Sequence, residues 1–207
     1  MRMPKEQIRR LIGPISERPA LLHGTCVEAA LKLFETGRLP SGRKCFKELR
    51  GQLYFAPVCS EMPPNLREEF HGFDRARALE MAADYARSHG EERYITEQAV
   101  SAGMPKAHAD FVMLEWIYGD KHDIPKKERK LVSNLNYELI IKQASNRKGV
   151  VIEADRSVLG FGVELDDQDD AVKLRCPRGL SAKYVKRIEP QGPVERKILR
   201  EYLARIS

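Results

Sequence analysis

The sequence predicts a single domain of the α+β class, and three observations predict it. Apolar residues recur with a period of two in some segments and a period of about 3.6 in others, which indicates both strands and helices. The two kinds of segment do not alternate as regular βαβ units would, so a doubly wound parallel sheet is not expected. At 207 residues and 42% apolar composition, the chain is long enough to bury its own core.

The first helix is predicted over residues 4–12 and should stop at the Gly-Pro pair that follows. Residues 21–25, Leu-Leu-His-Gly-Thr, follow as the end of a strand. The next eleven residues predict a second helix, because four apolar residues share one of its faces: Val27, Ala30, Leu31 and Phe34.

Capping signals bound this second helix. Thr25 occupies the expected N-cap position and Glu28 follows at the capping-box spacing, while Gly37 comes where a left-handed C-cap is expected. His23 is therefore expected at the end of a strand, one glycine before a helix N-terminus. The backbone N–H groups and the positive end of the helix dipole at that place suit an anionic or carboxamide-bearing ligand.

The middle of the chain begins with a basic loop at residues 37–51, and two interpretations of it stay open: a solvated loop, or a mobile cover over an anionic ligand. Residues 51–57 are predicted as a strand, since β-prone residues lie there between Gly and Pro. A helix is predicted at about 75–89 and should end at Gly90. Tyr85 lies beside the apolar stripe of that helix, where a tyrosine taken alone indicates the edge of a core.

Residues 91–135 are predicted as a helical insertion, with helices beginning at Pro105 and Pro125. His108 and His122 lie there among aspartates. The spacing of these residues matches no standard ligand pattern, so no metal site is expected.

Strands return in the last third of the chain, before a terminal helix at about 193–206. Residues 166–170 contain an acidic turn, which is predicted to be a solvated loop because it lacks the glycine and the spaced glutamate of a calcium-binding loop. The predicted strands are residues 138–142, 149–154, 172–174 and 184–188.

Charge and cysteine usage limit the function classes. A net charge of +6 favours an anionic ligand or partner without choosing among nucleotides, nucleic acid and acidic surfaces, and a basic solvated surface with no partner stays open. The four cysteines include no CxxC pair, so free thiols in a reducing compartment are expected rather than a zinc site. With neither an apolar run of membrane-spanning length nor a secretory signal, we expect a cytoplasmic protein without a membrane partner, and secretion by a non-classical route stays open.

Three short segments carry a recognisable pattern by their order. Residues 22–25 read Leu-His-Gly-Thr, residues 53–56 read Leu-Tyr-Phe-Ala, and residues 82–86 read Ala-Ala-Asp-Tyr-Ala. Residues 183–188 add a segment similar to a closing strand. Together they resemble the ADP-ribosyltransferase fold, in its diphtheria-toxin and poly-ADP-ribose polymerase branch, although the stretch between the second strand and the tyrosine is about twenty residues longer here.

This resemblance implies a split β-sheet core with flanking helices over residues 1–207, with the helical insertion at about 91–135. It implies NAD as the substrate, with the Gly24 backbone pairing with the nicotinamide carboxamide, His23 bound to the adenine-side ribose and Tyr85 stacked on the nicotinamide ring. The NAD-binding residues that the resemblance implies are His23, Gly24, Thr25, Tyr54, Phe55 and Tyr85.

Loss of nicotinamide leaves an oxocarbenium-like ribose that needs a negative or hydrogen-bonding group nearby. The family supplies a Glu about a dozen residues before the closing strand, but counting back from Tyr184 reaches the apolar Ala171 or Val172. A slip of one residue along a strand would turn a side chain to the opposite face. The nearest acids are Asp169, Asp170 and Glu164, and Asp170 is the expected catalytic acid beside His23 and Tyr85.

The expected function is therefore NAD-dependent mono-ADP-ribosyl transfer to an unidentified acceptor, either a protein or a nucleic acid. One alternative is a non-catalytic NAD- or ADP-ribose-binding or effector module on the same fold. A second is an NAD-dependent RNA 2′-phosphotransferase, which would need paired arginines and a second histidine, and no Arg-x-His-Val-His-like stretch follows Leu53. A third is an unrelated α+β domain in which His23 is a histidine of a capped turn.

Overall fold

An antiparallel six-stranded sheet lies at the centre of the fold, in a computed structural model that describes residues 2–41, 51–71, 73–166 and 171–206. The main sheet and a separate two-stranded sheet contain these strands in chain order: β1 (Leu21–Thr25), β2 (Arg38–Leu39), β3 (Gln52–Pro57), β4 (Val150–Ala154), β5 (Glu164–Asp166), β6 (Ala171–Arg175), β7 (Leu180–Ser181) and β8 (Val185–Pro190). The main sheet has the order β5-β6-β3-β1-β4-β8, and β2 pairs with β7. The predicted α+β class is confirmed.

Helices cover both faces of the main sheet and extend beyond it. In chain order they are α1 (Lys5–Leu11), α2 (Val27–Thr36), α3 (Pro64–Arg67), α4 (Arg75–Ser101), α5 (Lys106–Tyr118), α6 (Lys126–Ser133), α7 (Tyr137–Ala144) and α8 (Pro193–Arg205). Among the described helices, none combines the length and the apolar character that crossing a bilayer requires.

The main sheet opens between its two central strands. β1 pairs with β3 only where Leu21 meets Pro57 and Leu22 meets Ala56. Beyond those two pairs, β1 continues along β4 as far as Thr25, while β3 is paired instead with β6. The opening therefore begins at His23, the residue that follows the last shared pair.

The two faces of the sheet bury different kinds of side chain. One face packs Leu21, Phe55 and other large residues against α1, α2 and α8, and this forms the main core. The other face packs Leu22, Ala56 and Val151 against α4. The residues that α4 presents to this face are small, which lets the helix lie close to the strands: Ala78, Ala82 and Ala86.

The second half of α4 leaves the sheet and begins a helical region with clusters of its own. Ile95 packs with Met113 of α5 and Ile140 of α7. Ala99 packs with Val112 of α5, and residues of α6 lie against that cluster. The helices predicted to begin at Pro105 and Pro125 are confirmed, since each proline is an N-cap residue.

The predicted start of α2 is wrong by one residue. Thr25 still belongs to β1 and is paired with Val150, and Cys26 is the N-cap residue without a side-chain cap hydrogen bond. His23 consequently lies in the middle of its strand rather than at the end. The predicted C-cap is confirmed, because Gly37 has a left-handed backbone with φ of 72°.

The predicted end of α4 at Gly90 is also wrong, since the helix continues to Ser101. Gly90 is needed for close packing instead of termination. A Cβ atom at this position would lie 3.1 Å from the carbonyl oxygen of Arg147, in the connection between α7 and β4. Glycine inside a helix can thus indicate a neighbouring backbone as well as a helix end.

The predicted strand at residues 138–142 is the helix α7. The Asn136 side chain accepts a hydrogen bond of 3.0 Å from the backbone N–H of Leu139, which caps the helix. Ile140 and Ala144, four residues apart, are the buried residues of α7. The N-cap and the tertiary contacts outweigh the β preference of the Leu-Ile-Ile run.

Two predicted loops fall partly beyond the described residues. In the basic loop at 37–51, Arg38 and Leu39 form β2, and residues 42–50 lie outside the description. In the acidic turn, Asp166 is the last residue of β5, and residues 167–170 lie outside it. The site prediction for Asp170 therefore has no structural counterpart here.

Candidate functional site

His23 fills the point at which the sheet opens. Its Nδ1 lies 2.7 Å from the carbonyl oxygen of Tyr54, and its ring is 5.6 Å from that of Phe55. A carbonyl oxygen only accepts, so Nδ1 carries the proton and donates, and Nε2 is the nitrogen with the lone pair in the neutral ring. His23 therefore ties β1 to β3 after their backbone pairing has ended.

The His23 ring is neutral at pH 7. Only 7% of the residue is exposed, and this burial lowers its pKa to about 4, with His89 lowering it further and the Tyr54 carbonyl opposing the shift. A neutral imidazole can hydrogen-bond a ligand hydroxyl without carrying a positive charge into the core.

Gly24 brings β1 into direct contact with α4. A Cβ atom at this position would lie 1.9 Å from the carbonyl oxygen of Ala82 and 2.8 Å from the Cβ of Tyr85. Only a residue without a side chain allows this approach. Tyr85, which by the resemblance would stack on the nicotinamide ring, therefore lies next to Gly24, which by the same resemblance would bind the carboxamide.

The carbonyl oxygen of Gly24 has a side-chain partner, because His89 Nδ1 donates to it at 3.1 Å. His89 follows Tyr85 by four residues on α4, so both side chains lie on the side of the helix that faces β1. The spacing of four residues between Tyr85 and His89 is visible in the sequence. Because the helix was predicted to end at Gly90, His89 was placed in its last turn, and its contact with Gly24 was not predicted.

The remaining predicted pocket residues take different positions. Tyr54 is half-buried, and its hydroxyl donates to Gln52 Oε1 at 2.6 Å. Phe55 is 1% exposed and belongs to the main core, so its contact with the site is through the His23 ring. Thr25 is the last residue of β1 and pairs with Val150 of β4. His23, Gly24, Tyr54, Phe55 and Tyr85 thus form one contiguous group, which we call the His23 cluster.

The position expected to carry a catalytic acid is apolar and buried. Ala171 begins β6 and has no exposed surface, and Val172 packs in the main core. Asp166 of β5 pairs directly with Ala171, and directly paired residues project their side chains to the same face. Asp166 is therefore the described carboxylate nearest in register to the predicted position.

A second carboxylate lies on the same face, one row nearer the opening. Glu164 pairs with Lys173, and Lys173 pairs in turn with Tyr54. Glu164 forms an ion pair of 3.8 Å with Lys173 and is largely exposed. A charge so exposed and already paired makes Glu164 a weaker candidate than Asp166 for stabilising a cation.

A group of charged residues that the sequence did not indicate lies farther along α4. Burial raises the pKa of Glu28, which lies in the first turn of α2, and the negative charge of Glu97 raises it further. A hydrogen bond from the backbone N–H of Glu28 and the positive charges of Arg147 and Arg93 lower this pKa. Arg93 and Glu97 form an ion pair of 2.7 Å. With Tyr85 and His89, these two residues continue a row at intervals of four along α4.

The histidines of the helical region have structural contacts. His108 Nδ1 contacts Glu128 Oε2, and His122 stacks on Phe111 with 4.7 Å between ring centroids. Within the described part of the chain, no three His, Cys, Asp or Glu side chains are arranged to hold a metal ion.

No protein-family model, curated protein or solved structure matches the chain.

Proposed function

We propose that this chain is an NAD-dependent mono-ADP-ribosyltransferase. The observation that supports the proposal most is the convergence of three separate segments at one point. His23 contacts the carbonyl of Tyr54, 31 residues away, and the turn of α4 that carries Tyr85 lies directly on Gly24. These are the residues that the resemblance assigns to NAD, and nothing in their spacing alone requires them to meet.

The opening of the sheet also supports the proposal. A nicotinamide carboxamide binds a strand through backbone N–H and carbonyl groups, so the strand needs an edge that is not closed by its neighbour. β1 loses its pairing with β3 after Leu22. The Gly24 carbonyl is hydrogen-bonded by His89, and an entering carboxamide would take the place of that side chain.

The proposed reaction breaks the glycosidic C–N bond between nicotinamide and ribose. Nicotinamide leaves with the bonding electron pair, a nucleophilic atom of the acceptor forms the new bond to the ribose carbon, and the acceptor loses its proton. A carboxylate near the ribose would stabilise the intervening positive charge. Asp170, which precedes Ala171 in the sequence, and Asp166, which pairs with Ala171, are the acids that we assign to this role.

Release of nicotinamide and transfer of label from NAD carrying a labelled adenine test the proposal. Asp170→Asn and Asp166→Asn should each be compared with the wild type and with Asp123→Asn, an exposed acid of the helical region. Loss of a catalytic carboxylate typically lowers the rate by about 100-fold or more. Equal rates in all three variants would contradict the assignment of the acids, and absence of any nicotinamide release would contradict the enzymatic proposal.

A non-catalytic NAD-binding module on the same fold is the second candidate, and two observations favour it. The expected acid position is the buried Ala171, and His89 already occupies the Gly24 carbonyl. This candidate predicts saturable NAD binding without nicotinamide release. If His89 holds a place that the carboxamide takes, His89→Ala should bind NAD more tightly than the wild type, and unchanged or weaker binding would contradict that competition.

A further inference from the structure

A second site lies on another part of the sheet edge. A shallow, open recess of about 490 Å³ is bordered by the end of β6, the small β2–β7 sheet and the turn that follows β4. We call it the basic–aromatic recess, and its walls include Arg38, Arg175, Lys183, Phe161 and Tyr184. None of these residues belongs to the His23 cluster.

The charged residues that line this recess within the described part of the chain are all positive. Arg38, Arg175 and Lys183 line it, and no Asp or Glu is among the lining residues. None of the three cations forms an ion pair with a carboxylate of residues 2–41, 51–71, 73–166 or 171–206. Three cations on one surface raise the local concentration of anions, and this favours a ligand that carries more than one negative charge.

The aromatic wall offers a surface for stacking. Phe161 is 48% exposed, which is unusual for a phenylalanine in a folded domain. Its ring meets Tyr184 edge to face at 4.9 Å, and Lys183 covers the Tyr184 ring at 4.7 Å. The phenyl ring is thus held in place by Tyr184 while much of its own surface stays open to a planar ligand.

Backbone contacts hold one of the three cations, Arg38, in position before any ligand arrives. The Ala182 N–H donates to the Gly37 carbonyl at 2.9 Å, and the Arg38 guanidinium donates to the Gly179 carbonyl at 3.3 Å. Gly179 has φ of 74°, and a Cβ atom there would lie 2.3 Å from the Leu39 carbonyl oxygen. This close packing fixes β2, which carries Arg38, against β7.

We propose that the basic–aromatic recess binds single-stranded nucleic acid, with one base on Phe161 and adjacent phosphates on Arg38, Arg175 and Lys183. Proteins that bind single strands combine a cationic groove with aromatic side chains on which bases stack. An exposed ring needs a base that is not already stacked in a duplex, which favours a single strand over a double helix. The proposal stands on this recess alone and does not depend on NAD chemistry.

Fluorescence anisotropy with a labelled twelve-nucleotide deoxythymidine strand tests the electrostatic part. Three phosphate contacts predict that log K falls with log salt at a slope of about −2, since each contact on a single strand contributes about −0.7. The triple variant Arg38→Gln, Arg175→Gln, Lys183→Gln should lose most of that slope. The matched control replaces three exposed lysines of α6 by glutamine and should keep it: Lys126, Lys127 and Lys130.

The aromatic part is tested with Phe161→Leu, which keeps apolar volume but removes the ring, and with Phe161→Tyr, which keeps the ring. Phe161→Leu should weaken strand binding by roughly 5- to 150-fold, because stacking of one base on an aromatic side chain has that effect. Phe161→Tyr should bind as the wild type does. Thermal melting of each variant verifies that the fold is intact.

Different outcomes would overturn the proposal in distinguishable ways. If a hairpin duplex of the same length binds as tightly as the strand, and Phe161→Leu has no effect, the recess is a general cationic surface. If thymidine monophosphate binds as tightly as the twelve-nucleotide strand, the recess takes a free nucleotide instead. If the triple variant and the α6 control bind alike, this recess is not the binding site.

Discussion

At Gly24, helix α4 lies directly against strand β1, and one hydrogen atom in place of a side chain makes that contact possible. The Ala82 carbonyl would be 1.9 Å from a Cβ atom at this position, which is a backbone contact that no rotamer change can relieve. The same residue offers its carbonyl to His89. Gly24 therefore sets both the distance between α4 and the sheet and the position of Tyr85 beside the opening.

Gly24→Ala should destabilise the fold, because the added methyl group must push α4 away from the sheet. Overpacking of this kind typically costs about 1–3 kcal/mol in the free energy of unfolding. Gly13→Ala is the matched control, since a Cβ atom there meets nothing within 4 Å. Urea unfolding of both variants is the measurement, and equal stabilities of the two variants would contradict the close approach of α4.

The burial of His23 predicts a dependence of stability on pH. Burial lowers the pKa of His23 from 6.5 to about 4 in the folded state, and the unfolded chain keeps the ordinary value. Between these values the unfolded state binds a proton that the folded state excludes. The contribution is therefore fully present above pH 6.5 and is lost as pH falls towards 4, up to about 3 kcal/mol.

His23→Asn isolates this contribution, since an asparagine amide can still donate a hydrogen bond but does not titrate. The free energy of unfolding in urea, measured at pH 7.5 and at pH 4.5, should fall less in the variant than in the wild type. The other ionisable groups are common to both proteins and cancel in the comparison. A pH dependence that the substitution leaves unchanged would show that His23 is not held neutral by burial.

At the scale of elements, local signals decide where helices begin and end only when tertiary contacts agree with them. Gly37 ends α2 as predicted, because its left-handed backbone is needed there. Gly90 does not end α4, which continues to Ser101. The glycine instead allows the backbone of Arg147 to pack closely against the helix. The Leu-Ile-Ile run of residues 139–141 suits a strand, yet the cap at Asn136 and the burial of one side of α7 make it helical.

Asn136→Ala should destabilise α7, because the side chain then no longer satisfies the Leu139 N–H. Loss of such an N-cap typically costs about 0.5–2 kcal/mol. Asn65→Ala, at an exposed position in α3, is the control. Hydrogen exchange of the amides of α7 and urea unfolding measure the effect, and equal protection in the two variants would argue against the cap.

At the scale of the whole molecule, the sequence predicts the fold class and most of the strands, because alternation and turn residues are local properties. The order of three motifs in the sequence also led us to expect His23, Tyr54 and Tyr85 in one NAD-binding site. The contact of His89 with Gly24 could not be predicted in the same way, since it depends on how closely α4 packs on β1. The basic–aromatic recess was likewise beyond reach, because its cations come from β2, β6 and the turn before β8.

We propose that NAD binds at the His23 cluster, beside Gly24 and Tyr85. Calorimetric titration with NAD tests this proposal most directly, using the wild type, Tyr85→Ala and the control Tyr137→Ala, a residue of α7 that is 49% exposed. We predict saturable binding that Tyr85→Ala weakens by roughly 2- to 12-fold, the effect of losing about 0.5–1.5 kcal/mol of aromatic stacking, at a nearly unchanged melting temperature. Absence of binding at millimolar NAD to the folded wild type, or equal affinities in the two variants, would contradict it.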